Sequence, residues 1–159
     1  MQRSLVIRPV TIDDAAVLAK LSESIGREHV KAEPGRFQRA SHQDAKAEFV
    51  RLLSVEGCEG LIAYSADSPI GYAIFKITDR VDSPFSFPGR YLYLQHISVE
   101  PAYRNQGVGT RLMESIKSFA RSNRIEEIQL DVWLYNSAAV AFYEATGFVA
   151  KTQRMLFRF

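Results

Sequence analysis

One stretch constrains the fold more than any other: Ile97-Ser-Val-Glu-Pro-Ala-Tyr-Arg-Asn-Gln-Gly-Val-Gly-Thr-Arg-Leu-Met113. An apolar strand pattern ends at Val99, Pro101 stops it, and the chain enters a helix through Gly107 and Gly109. Leu112, Met113, Ile116, Phe119 and Ala120 then recur at helix spacing, so this helix buries one stripe. A glycine carries no Cβ, which lets backbone come close to a ligand, and the first N–H groups of a helix have no partner within it. Together with the helix dipole those donors make an anion site whose usual occupant is a phosphate. Arg104 and Arg111 add positive charge beside it. The same two glycines would also shape a tight turn with no ligand. A dinucleotide fingerprint needs glycine or alanine where Leu112 stands, and the Gly-Lys-Ser/Thr of a Walker loop is absent from the chain.

The flanking sequence places this junction within one sheet domain. Residues 4–8 read as a short strand ended by Pro9; Ala15, Leu18, Ala19, Leu21 and Ile25 then mark a helix whose first turn carries Asp13 and Asp14. Gly26 to Ala40 is polar, with Pro34 and Gly35, and reads as a loop or a broken helix. A second helix opens at Ser41 or His42 and reaches about Val55. Residues 61–64 and 70–77 form a hairpin around Asp67-Ser-Pro69, 79–90 is a loop carrying Phe85 and Phe87, and 91–99 is a long strand. Alternation of Ile128, Leu130, Val132 and Leu134 predicts a strand over 125–135. Asn136 is a good N-cap, Ala138–Thr146 a helix and Gly147 its C-cap, and Phe148 to Phe159 closes the chain as a strand or hairpin arm. The order β-α-α-β-β-β-α-β-α-β describes a single α/β or α+β domain over residues 1–159.

Composition excludes several classes. The chain of 159 residues is 47% hydrophobic and 24% charged, enough to build a core without metal or disulfide. Its single cysteine, Cys58, allows no internal disulfide framework, and His29, His42 and His96 are too far apart for a local metal motif, so no metal is expected. No apolar run approaches the roughly 18 residues of a membrane span. The N-terminus has no long apolar stretch of the secretory kind, and a cytoplasmic location is the expectation. A net charge of +2 argues against a nucleic-acid partner. Between residues 104 and 124, however, Arg104, Arg111, Lys117, Arg121 and Arg124 face Glu114 alone, a compact basic segment that is either a solvated helix face or suited to a small polyanion.

Arg104-Asn-Gln-Gly107-Val-Gly109 resembles the acyl-CoA pyrophosphate loop, R-x-x-G-x-G, of the GNAT N-acetyltransferase superfamily. A second motif, Asn136-Ser-Ala-Ala139-Val-Ala-Phe-Tyr143-Glu-Ala-Thr-Gly147-Phe148, is similar to that family's later segment, N-x-x-A-x-x-x-Y-x-x-x-G-F. Alone, it would be a capped amphipathic helix with Ala139 and Tyr143 packed at i and i+4. The two in order, with a helix and strand between, carry the resemblance over about 91–150; residues 1–60 match only as architecture. The resemblance implies a mixed central sheet of about six to seven strands flanked by about four helices.

It also implies acetyl-CoA as co-substrate, held in a V-shaped opening between the strands at 91–99 and 125–135. Ile97, Ser98 and Val99 would offer strand-edge hydrogen bonds to the pantetheine arm. The N–H groups around Gln106, Gly107, Val108, Gly109 and Thr110, with Arg104 and Asn105 at the loop, would cradle the pyrophosphate. Asn136 would bond the pantetheine or anchor its loop, and Ala139 would leave room. Arg104, Arg111 or a neighbour would meet the 3′-phosphate. The family's chemistry is direct attack of a neutral amine on the thioester, which needs a base, a donor for the oxyanion near Val99, and a proton for the departing thiolate. By resemblance Tyr143 supplies that proton; its other role is a packed aromatic.

Many relatives carry a carboxylate at the positions matching Gln95 and His96. Gln95 cannot take a proton, whereas His96 can. Regular alternation puts Gln95 on the face of Ile97 and Val99 and His96 on the opposite one, unless a bulge of the kind frequent in the family re-aims them. His96 is the candidate base, with Glu100, Asp131 or a water chain as alternatives, and a hydrogen-bonded sheet histidine as its structural role. The acceptor is a primary amine of a small molecule, or of a peptide or protein N-terminus or lysine. Its pocket falls to the least similar segments: 26–40, where Glu28, His29 and Glu33 either attract an amine or are solvated; 80–90, where Phe85 and Phe87 form a lid or cover the sheet; and the chain after Phe148. The alternative function is a catalytically silent acyl-CoA-binding module. No membrane or nucleic-acid partner is expected, and a homodimer is plausible from the family.

Overall fold

Strand β1 (Leu5–Pro9) opens the computed structural model, which describes residues 4–159. After a 3-10 turn at Ile12–Asp14 come α1 (Ala15–Ala32), α2 (His42–Leu53), β2 (Cys58–Ser65), β3 (Ser68–Arg80) and β4 (Gly89–Val99). A second 3-10 turn (Pro101–Tyr103) leads to α3 (Val108–Ser122), β5 (Ile128–Leu130) and α4 (Ser137–Ala145). Residues 1–3, part of the N-terminus read above, lie outside the described residues. The sheet runs β1-β2-β3-β4-β5, with β1–β2, β2–β3 and β3–β4 antiparallel and β4–β5 parallel. A parallel pair needs a crossover, which α3 supplies.

The helices sandwich the sheet. On one face Leu18, Ala19, Leu21, Phe49 and Leu52 of α1 and α2 pack on Ile62, Tyr72 and Ile74. On the other, Met113, Ile116 and Ala120 of α3 cover Ala73, Phe75, Leu92 and Leu94. The start of α1 is pinned to β1 by a two-pronged ion pair in which Arg8 Nη1 and Nη2 donate to Asp14 Oδ2 and Oδ1 at 2.8 and 2.7 Å. That guanidinium holds the Asp14 carboxyl down at about 2.

The architecture is the expected α/β one with four helices, but three segments differ. Helix α1 continues through Gly26 to Ala32, where a loop or break was expected, because the half-buried Ile25, His29 and Val30 prolong its inward stripe. An internal glycine costs about 0.5–1 kcal/mol, which that packing offsets; Pro34 and Gly35 then lie in the turn that follows. The strand expected over 125–135 is only Ile128–Leu130, and residues 148–159 form no strand. Alternating apolar residues become strand only where a neighbour supplies ladder hydrogen bonds, and neither 131–135 nor the last twelve residues gain one. The sheet therefore has five strands instead of six to seven.

Candidate active site

Two irregularities of β4 create the site. The first is a bulge. Ile74 pairs with His96 but Phe75 pairs with Leu94, leaving Gln95 as the extra residue. It flips the parity of the strand: Leu92 and Leu94 pack towards α3, and so do Ile97 and Val99 beyond it. A bulge also sets two consecutive side chains on one side. Gln95 and His96 accordingly both line a cleft on the α1–α2 face.

The second is the early departure of β5, which pairs with β4 only from Leu92↔Ile128 to Leu94↔Leu130. Beyond Leu94 the β5-facing edge of β4 has no strand partner. The Glu100 N–H donates to Ile70 O at 2.8 Å, so alternation turns Ser98 and His96 towards β3 and the N–H and C=O of Ile97 and Val99 outward. Strand-edge donors and acceptors thus stand free along the splayed opening. Ser98 itself is buried and its Oγ has no hydrogen-bond partner.

The cleft has a volume of about 830 Å³, with Gln95, His96 and Ile97 at its base, α1 and α2 on one side and the β5–α4 segment on the other. The His96 ring meets Phe49 edge-on at 5.8 Å, and its Nδ1 lies 3.5 Å from Tyr72 Oη. It is accessible from the cleft but walled in by it. That loss of bulk water pulls its pKa below 6.5, against the pull of the Glu48 carboxylate. Opposite, Tyr143 projects from α4 into the same cleft, its ring held by Phe142 and Phe148 at centroid distances of 5.4 and 5.7 Å. Burial pushes its hydroxyl up to about 12, so it keeps its proton at neutral pH. Asn136 Oδ1 accepts from the Ala139 N–H at 3.1 Å and caps α4; both residues line the cleft.

At the far end of β4 the chain turns through Asn105 (φ 59°) and Gly107 (φ 82°) into α3. Gly107 is the N-cap, and no side chain caps the helix, so the N–H groups of Val108, Gly109 and Thr110 are free to bind an anion. The two glycines have different reasons. A Cβ on Gly107 would meet nothing within 4 Å, whereas one on Gly109 would lie 3.3 Å from Phe142 Cε2. Gly107 sets the backbone turn and leaves the approach open; Gly109 lets α4 pack on α3. Gly107→Ala should lower the melting temperature by several degrees, since a left-handed non-glycine costs about 1–2 kcal/mol. It should also weaken acetyl-CoA binding, which calorimetry of the variant would read; unchanged binding would separate this turn from the cofactor.

The basic segment divides by its contacts. Arg104 turns towards α1, its Nε donating to Val99 O at 3.0 Å and its Nη1 lying 2.7 Å from Glu28 Oε1. Lys117 donates to Thr146 O at 2.8 Å, at the C-terminus of α4. Arg121 and Arg124 sit at the other end of α3. Arg111, exposed in the first turn, makes no ion pair among the described residues. Gln106 Nε2 donates to Ala102 O, Asn105 and Thr110 are exposed, and the Val108 side chain is buried in the core. Phe85 and Phe87 are 98% and 87% exposed and line no part of the cleft, so they neither lid it nor cover the sheet.

Sequence reasoning named His29 beside the acceptor pocket but missed the aromatic group it belongs to: His29, Phe37, Trp133 and Tyr135 are in ring contact, and the first three line the cleft. Of these only His29, on α1, had a sequence signal, the apolar periodicity that carries the helix past Gly26. The described residues contain no helix long and apolar enough to cross a membrane.

The free N–H cluster, the open approach at Gly107 and the unpaired β4 edge fit an acyl-CoA in the order phosphate to thioester. Known proteins agree. The sequence model of the acetyltransferase (GNAT) family matches residues 22–148. The aminoglycoside N(6')-acetyltransferase type 1 of Klebsiella aerogenes is 29% identical over 159 residues, 99% of this chain and 98% of that protein. Among solved structures, a mutant of the BH1408 protein from Bacillus halodurans superposes with a TM-score of 0.90 at 22% identity, covering 97% of this chain and 99% of that one. The aminoglycoside N-acetyltransferase AAC(6')-Iy, solved in complex with CoA, gives 0.70 at 20% identity, covering 98% and 94%. At such identities the two structures share the fold. With the family match running from α1 to the end of the Asn136–Phe148 motif, the chain belongs to the acetyltransferase (GNAT) family and is an acetyl-CoA-dependent N-acetyltransferase.

Proposed function

We infer that this enzyme acetylates a primary amine by direct transfer, with His96 as base and Tyr143 as acid. The observation that carries the reading is that one cleft, opened where β4 and β5 part, is lined by both side chains. His96, with its pKa lowered, is neutral at pH 7 and takes the proton of the attacking ammonium. The amine nitrogen adds to the acetyl carbon to give a tetrahedral oxyanion, which collapses to the amide as the carbon–sulfur bond breaks and the nitrogen's second proton passes to water. Tyr143 gives its proton to the leaving sulfur and is reprotonated from solvent. The outward N–H groups of Ile97 and Val99 orient the thioester arm, and the Val108–Thr110 N–H groups hold the pyrophosphate. Nothing in the fold favours a catalytically silent module.

Direct transfer leaves no acetyl group on the protein. Incubation with acetyl-CoA alone should leave the protein mass unchanged, and acetylated amine should appear in step with released CoA. An acetylated protein that passes its acetyl to amine would overturn this reading.

Arg111 is the residue that reaches the 3′-phosphate. Arg111→Ala should weaken CoA about tenfold, as expected for one charge-assisted contact, and leave dephospho-CoA unchanged. Equal losses for both ligands would remove Arg111 from that role.

A further inference from the structure

The chemistry places the amine nitrogen at His96; the walls of the cleft bear on what that nitrogen is attached to. The α1–α2 and β5–α4 connections meet over the mouth. His29 Nδ1 and Tyr135 Oη share a hydrogen bond of 2.7 Å, and the His29 ring stacks on Phe37 with centroids 4.9 Å apart. Phe37 meets Trp133 edge to face at 5.4 Å. Trp133 is braced by Tyr135, stacked at 5.7 Å, and by the Arg36 guanidinium 4.8 Å from its ring centre. His29, Phe37 and Trp133 line the cleft, while Arg36 and Tyr135 do not. The outer pair therefore supports an inner aromatic wall.

The cleft is lined by four carboxylates and two guanidinium groups, a balance that suits a cationic amine. Cationic side chains pair with two of its carboxylates, Glu23 with Lys20 and Arg27 and Glu48 with Arg51, whereas Asp44 and Asp131 accept from the neutral hydroxyls of Ser41 and Tyr93 and keep their charge. The guanidinium groups of Arg27 and Arg39 line the same space. Its volume of about 830 Å³ takes the thioester end of the co-substrate as well as the reacting end of the acceptor.

Resting on the roles of His96 and Tyr143 inferred above, we propose that the acceptor is a small primary amine carried on an aromatic body, which lies against Phe37 and Trp133 while its nitrogen reaches His96. Aromatic pairing adds to simple burial and fixes orientation. A polycationic aminosugar gains little from this wall.

The test follows CoA release with 2-phenylethylamine, hexylamine and kanamycin as acceptors. 2-Phenylethylamine should be used with kcat/KM at least about tenfold above either other amine, the range that a shaped apolar pocket provides. Trp133→Ala should raise its KM about tenfold, leaving kcat and the KM for acetyl-CoA within about twofold; Trp133→Phe should restore most of the loss. A merely structural Trp133 would instead lower kcat and the melting temperature with every acceptor. Kanamycin or hexylamine used equally well, or an unchanged KM in Trp133→Ala, overturns the proposal and leaves the base and acid roles intact. Failure of all three amines to release CoA overturns the proposal alone, whereas full activity of Tyr143→Phe overturns the acid role it rests on as well.

Discussion

Tyr143→Phe is expected to lower kcat by about 10²–10³-fold, the usual worth of a positioned proton donor, while acetyl-CoA binds as before. The ring packs on Phe142 and Phe148 through its carbon edge, which phenylalanine keeps. The hydroxyl has no hydrogen-bond partner among the described residues, so its removal leaves no buried group stranded and the melting temperature should hold. A hydroxyl pushed up to about 12 is a poor base and stays protonated through any practical assay range, so no alkaline limb should arise from it. Steady-state kinetics beside calorimetric titration with acetyl-CoA separates the two effects. An unchanged kcat would make Tyr143 a packing residue and nothing more.

His96→Gln should cost kcat about 10²-fold and change its pH dependence. The sign follows from the lowered pKa. The wild-type base is neutral and active above its pKa, so kcat falls as the pH drops below 6.5, with a midpoint under that value. The groups facing it are the Tyr72 hydroxyl, the Glu48 carboxylate and the His29 ring; Glu48 raises its pKa and His29 lowers it. The variant should lose this acid limb. Stability carries the same sign: the folded state takes up the His96 proton less readily than the unfolded chain, so stability declines as the pH falls from 6.5 towards the lowered value. An identical acid limb in wild type and variant would assign proton removal to another group.

Much of this was legible in order along the chain. The strand–glycine–helix junction, the Asn136 cap and the Tyr143 motif are local features, set by missing Cβ atoms, capping hydrogen bonds and helix periodicity. The ends of β4 and α3 fall within two residues of expectation. The segments that were misread depend on partners. Residues 26–32 are polar in composition yet helical, because three residues facing inward outweigh one glycine. Residues 131–135 and 148–159 alternate like strands yet find no ladder.

The site itself lay at the boundary. The sequence alone determined which residue types stand at the phosphate turn and on α4, since steric freedom, capping and spacing act over a few residues. It could not decide between Arg104 and Arg111, nor between the two faces available to Gln95 and His96. Where Arg104 turns and which face His96 takes belong to tertiary structure. Glu28, 76 positions before Arg104, captures that guanidinium only once α1 lies beside the end of β4. The bulge opposite Ile74 aims His96 only once β3 has paired. The aromatic wall likewise brings together residues about a hundred positions apart, and contacts at that separation form only after loop closure has been offset by packing elsewhere in the core.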